Sequence, residues 1–145
     1  MTIDLPLSAH LPESYVPDLN LRLALYQRMA QMESLSQVDE LTQELTDRFQ
    51  SPPPLARNLL YVVRLRVLAL QAGVQSMATE DGEIVVRLKE GRQLPTDALR
   101  GRLPDGVGLG RTTLRLERAR LGPAWPQALQ RVMEELAGTV AHSST

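Results

Sequence analysis

Gly73 divides the chain by the period of its apolar residues. Upstream of it they return every three or four positions, as one buried face of a helix requires. Downstream they alternate or gather in short β-branched runs, which is the pattern of strands. Three helices before that change, then a small antiparallel sheet and a terminal helix, describe a segregated α+β domain. The glycine at the boundary stands where a left-handed helix cap is needed.

Prolines set the divisions before Gly73. Pro6, Pro12 and Pro17 keep residues 1–17 out of a continuous helix, so this segment is expected as an extended arm. Ile3, Leu5, Leu7, Leu11 and Val16 give it apolar side chains with which to dock. Asp18 is placed to cap a first helix with the stripe Leu21, Leu25, Arg28 with Met29, and Met32. Ser36 followed by Asp39 resembles a capping box opening a second helix. In that helix Val38, Leu41, Leu45 and Phe49 share one face. Pro52, Pro53 and Pro54 then interrupt the chain before a third helix over residues 55–72. Leu59, Leu60, Val63, Val67 and Leu70 form its main stripe, widened by Ala56, Val62, Leu65 and Leu68. Such a helix is expected to pack on more than one side.

After Gly73, residues 74–78 and 83–88 read as strands joined by Asp81-Gly82, a strong hairpin signal. Residues 96–102 suggest one or two helical turns, and residues 112–117 alternate through Leu114 and Leu116 as a half-buried strand does. Trp125, Leu129, Val132, Met133 and Leu136 mark a last helix, beginning near Pro126 and stopping at Gly138. The expected architecture is an N-terminal extended arm, three helices, a small antiparallel sheet and a C-terminal helix. It places one domain over residues 18–138 and a disordered tail over residues 139–145.

Composition excludes several kinds of chemistry. The 145 residues include no cysteine, and the two histidines, His10 and His142, lie near the termini, so thiol chemistry is ruled out. No apolar run reaches the roughly 20 residues of a membrane span, and the first residues lack a basic stretch followed by an apolar signal core, so a cytoplasmic protein is expected. No metal site is expected. Aromatic residues are only 3% of the total, which leaves aliphatic side chains to fill the core. Charge is uneven along the sequence. Residues 1–50 hold eight acids and three arginines, whereas residues 51–122 hold twelve basic residues and seven acids.

Three motifs invite a function. Gly106-Val107-Gly108-Leu109-Gly110 lacks the G-x-G-x-x-G spacing and precedes a strand rather than a helix, so it reads as a sheet connection without a phosphate-binding dipole. Arg111, Arg115, Arg118 and Arg120, with Arg100 and Arg102, could contact nucleic-acid phosphates. A charged strand edge protected against aggregation accounts better for them, because no aromatic is interleaved and Glu117 interrupts the run. The third is the second helix. At about 100° per residue, Glu40, Glu44 and Asp47 fall opposite its apolar stripe with Arg48 at their flank. An anionic ridge of this kind suits a basic partner.

The order of short strings adds a family. Leu11-Pro12, Tyr15-Val16-Pro17-Asp18, Arg22, Leu25-Tyr26 and Glu44-Leu45-Thr46-Asp47-Arg48-Phe49 with the prolines after it resemble the C-terminal domain of the bacterial transcription-repair coupling factors, the Mfd family. The likeness runs from about Ile3 to Leu136, but its distinctive strings all precede Gly73. It implies a non-catalytic regulatory domain, without a cofactor of its own, in a parent that is an ATP- and Mg-dependent DNA translocase. The parent would act on stalled RNA polymerase and recruit the excision-repair protein UvrA in transcription-coupled nucleotide excision repair. The domain's expected partner is the UvrB-like N-terminal module of the same polypeptide, whose UvrA-binding surface it would mask while restraining the motor. The family's contact residues map onto Glu44, Asp47 and Arg48. Family members usually read D-R-F-G where this chain has Gln50 after Phe49, so the second helix should end less cleanly or in another turn stiffened by the prolines.

Overall fold

The computed structural model describes residues 1–143. The chain divides into two compact units, a sheet unit of Met1–Pro6 with the residues from Leu68 onward, and a helical unit of Leu7–Val67. The division falls inside a helix rather than at the ends of the expected 18–138 domain. The class is α+β, as the change of period at Gly73 requires.

The helical unit contains α1 (Leu19–Ala30), α2 (Leu35–Phe49) and the first part of α3 (Pro54–Ala72). Asp18 caps α1, its Oδ1 accepting from the backbone N–H groups of Asn20 at 2.9 Å and Leu21 at 3.3 Å. At the other end of α1 the Arg66 guanidinium donates to the carbonyls of Ala30 and Met32, groups that a helix terminus leaves without partners. The cap of α2 is Ser34, not Ser36. Ser34 Oγ accepts from Gln37 N while Gln37 Oε1 accepts from Ser34 N, a complete capping box. A glutamine at the third helical position reaches back to the cap backbone more readily than the shorter Asp39 would from Ser36.

The core of this unit joins Leu25, Met29 and Met32 with Val38, Leu41 and Leu45 and with Ala56, Leu60, Val63 and Val67. Leu11, Tyr15 and Val16 complete it from the segment before α1. That segment is tied down by polar contacts as well: His10 N donates to Leu55 O, Asn58 Nδ2 to Ser8 O, and Leu11 N to the Tyr26 hydroxyl. In α3 the expected stripe holds except at Leu70, which is 40% exposed.

Gly73 ends α3 at φ +74°, a left-handed conformation that glycine adopts without strain. The sheet unit then runs β2 (Val74–Glu80), β3 (Glu83–Leu88), α4 (Thr96–Leu99), β4 (Val107–Leu109), β5 (Thr113–Glu117), α5 (Arg118–Leu121), a 3-10 turn and α6 (Trp125–Ser143). Asp81 and Gly82 both take positive φ, as the tight β2–β3 hairpin demands.

The sheet order is β1-β2-β3-β5-β4, with β1 formed by Thr2–Asp4. The sheet is not wholly antiparallel, because β1 pairs parallel with β2, Ile3 standing opposite Met77. Nor is Gly106 to Gly110 a plain connection: Val107, Gly108 and Leu109 form the far edge strand against β5. Ile84, Val86, Leu114 and Leu116 are fully buried. The last helix passes Gly138 and continues to Ser143, where a tail was expected from residue 139. One glycine costs a helix only about 1 kcal/mol, and Thr139 Oγ1 bonds back to Glu135 O at 2.8 Å. The last two positions of the expected tail, Ser144 and Thr145, lie outside the described residues.

Candidate functional site

Periodicity decides which way α2 presents its charges. Val38, Leu41 and Leu45 are each no more than 1% exposed, so the helix has one rotational setting. Glu40, Asp47 and Arg48 consequently stand exposed, and Glu44 is half-buried. The carboxylates therefore lie outward, above an aliphatic face that fixes them.

Each of the three family-matched residues is held differently. Glu44 Oε2 accepts from Arg28 Nη1 at 2.8 Å, an ion pair that joins α2 to α1. Asp47 Oδ1 accepts from Gln43 Nε2 at 2.9 Å, one turn earlier on the same helix. The Arg48 guanidinium sits 5.2 Å from the centre of the Phe49 ring, close enough for cation–π attraction. That ring meets Tyr15 in a T-shaped contact, the two ring centres 5.8 Å apart. A second ion pair joins Asp39 to Arg64 of α3.

Tyr15 also bears on the end of α2, because its hydroxyl donates to Gln50 O at 2.8 Å. Burial raises the pKa of this phenol above its usual value. Gln50 itself lies at φ 95°, ψ 175°, a region that essentially only glycine occupies freely. The helix therefore ends in another turn than a left-handed glycine cap, whose φ and ψ would both lie near about +50°. Glutamine holds this strained conformation between a helix end fixed by Leu45 and Tyr15 and the prolines that follow Ser51.

Two features of this face were not legible in the sequence. Arg28 and Arg64 reach α2 from other helices, so no local spacing marks them. A groove of about 250 Å³ also runs between α1 and α2, lined by Arg28, Gln31, Met32, Gln37 and Glu40.

The arginines after residue 99 do not form a comparable surface. Arg100 pairs with Asp97, Arg102 with Glu135, Arg115 with Glu83 and Arg120 with Glu117, at 3.6–4.0 Å. Arg118 lies 6.0 Å from the Trp125 ring centre. The strand that carries Arg115 is not at the edge, as expected, because β4 covers it. Among the described residues no group of three or more His, Asp or Glu side chains is placed to hold a metal ion, and no helix is long and apolar enough to cross a membrane.

Residues 5–99 match the family model of the TRCF domain. Over 66 residues the chain is 46% identical to a transcription-repair-coupling factor of Haemophilus influenzae, an alignment spanning 46% of this chain and 6% of that protein. It is 34% identical over 84 residues to the factor of Escherichia coli, spanning 57% of this chain and 7% of that one. With the Buchnera aphidicola factor it shares 28% identity over 99 residues, 68% of this chain and 12% of the relative. The matched stretch is thus a small part of each relative. A crystal structure of the C-terminal domain of a transcription-repair coupling factor superposes with a TM-score of 0.82, covering 99% of this chain and 94% of that one at 20% identity, a likeness of fold.

Proposed function

Since the chain belongs to the TRCF-domain family, we propose that it acts as the non-catalytic regulatory domain of a transcription-repair coupling factor. In this reading the outward face of α2 docks reversibly on the UvrB-like module of the same polypeptide. While docked it masks the surface that UvrA uses and restrains the DNA translocase motor, whose ATP and Mg are bound elsewhere in the parent. RNA polymerase engagement releases it.

The observation that supports this reading is the setting of Glu44, Asp47 and Arg48 on solvent-facing turns above a fully buried Leu41–Leu45 face. Charge contacts at an exposed surface give orientation and fast, reversible docking more than great affinity. An autoinhibitory contact needs that property, because a competing partner must overcome a coupling of only a few kcal/mol. The pairing of Arg100, Arg102, Arg115 and Arg120 with carboxylates of their own unit weighs against a nucleic-acid-binding role.

The test is charge reversal. E44K with D47K should abolish binding of this chain to a UvrB-like module, and in a full-length factor it should raise basal ATPase and UvrA binding. Unchanged values in both assays would reject the docking role of α2.

A further inference from the structure

Glu44 is already occupied. Its Oε2 accepts from Arg28 Nη1 at 2.8 Å, yet both side chains are about 40% exposed. An ion pair this open to water contributes little to the fold. It nonetheless engages one oxygen of the carboxylate that a cation from outside would approach. Arg28 also lines the groove between α1 and α2, with Glu40 on the other side one turn before Glu44. Withdrawing Arg28 would therefore open a polar channel leading to two carboxylates that share a helix face.

From this geometry we infer that Arg28 is an internal competitor for Glu44, a residue that tunes docking without belonging to the docking partner's contacts. A guanidinium or ammonium group arriving from the partner exchanges with the Arg28 guanidinium, so that one ion pair replaces another. Arg28 itself swings into the groove, where Gln31 and the Glu40 carboxylate line its path. The net gain on docking is thereby reduced. This inference rests on the proposal that α2 is a docking face, and it adds the chemistry of the partner group and the residue that holds the contact weak.

The experiment uses the 145-residue chain and two probes, the UvrB-like module of a coupling factor and a tetra-arginine peptide, with the Glu44 carboxyl carbon followed by NMR. R28Q should bind both probes more tightly, by roughly two- to fivefold, the size of one exposed ion pair. R28K should return toward the parent value, and E44Q should weaken binding. In the E44Q background, R28Q should no longer help. R57Q, which removes an exposed arginine of α3, should leave affinity unchanged and so separates competition from a general change in net charge. Tightening by R57Q equal to that of R28Q, or an R28Q variant that binds equally or less well, would overturn the inference. If the peptide follows this pattern at Glu44 and the module does not bind, the proposed function falls and the competitor role stands. If neither probe reaches Glu44, both fall.

Discussion

In the sheet unit, cations and carboxylates answer one another across neighbouring strands and turns: Arg87 with Glu80, Arg115 with Glu83, Arg120 with Glu117, Arg102 with Glu135. In the helical unit the pairs run between helices, Arg28 to Glu44 and Arg64 to Asp39, and among the described residues no cation pairs with the exposed Glu40 and Asp47. The units differ little in total charge. The helical unit holds seven carboxylates and six arginines, and the sheet unit ten of each sign. The acidic and basic halves seen along the sequence dissolve once Arg57, Arg64 and Arg66 of α3 join the acidic helices. What sets α2 apart is that its exposed carboxylates Glu40 and Asp47 stand on a helix whose other face is fully buried.

The strongest way to break this comparison is to remove that support. L45A should cost roughly 2–5 kcal/mol in urea denaturation, since Leu45 is 1% exposed and its loss leaves a cavity. L116A, at a fully buried position of the sheet unit, should cost a similar amount. A loss under about 1 kcal/mol for L45A, comparable to a surface change, would mean that α2 is not anchored and that its outward face has no fixed setting.

The part of the molecule that could be read from sequence is the part fixed by local periodicity. Val38, Leu41 and Leu45 announced the interior of α2, Asp81-Gly82 the hairpin, and Gly73 the end of α3. What escaped depends on partners distant in the chain. Thr2 to Asp4 become a strand only because the β2 edge is available, and Val107 to Leu109, flanked by glycines, only because β5 lies beside them. Leu70 satisfies the helical stripe but faces solvent, because periodicity fixes an angle and not what covers it. At the site the same rule holds: the ridge followed from spacing, while Arg28, Arg64 and the groove required the tertiary fold.

Alkaline pH probes the anchoring from another direction. Burial raises the pKa of Tyr15 and, more strongly, of Tyr61, and both belong to the helical unit. Above about pH 10 the unfolded chain loses these phenolic protons while the folded chain keeps them. The unfolded state then binds fewer protons, so stability falls as pH rises, by at most about 1.4 kcal/mol per group and pH unit. Thermal melts between pH 9 and 11 should show this decline, and Y61F should flatten it. A Y61F profile as steep as the parent's would mean that the phenol is not desolvated.

Gln50 offers a gain rather than a loss. A residue other than glycine held in its φ, ψ region carries about 1–3 kcal/mol of strain, and glycine would lose about 0.5–1 kcal/mol more backbone entropy on folding. Q50G should therefore stabilise the chain by roughly 1 kcal/mol and, by relaxing the end of α2, leave the Tyr15–Phe49 contact in place. Q50A should bring no such gain. A destabilised Q50G would show that the Gln50 side chain supplies more than its backbone conformation costs.

The smallest effect separates the two serines at the start of α2. Ser34 accepts from Gln37 N, whereas the hydroxyl of Ser36 lies 3.1 Å from that of Ser34 and makes no bond to the helix backbone among the described contacts. S34A should cost about 1 kcal/mol and S36A less than about half of that. The order matters for the site. A cap at Ser34 starts the helix early enough for Glu40 to stand on its second turn, beside Gln37 and within the groove, whereas a cap at Ser36 would leave both at the fraying end. Equal losses in the two variants would place the helix start later and detach Glu40 from the ordered face.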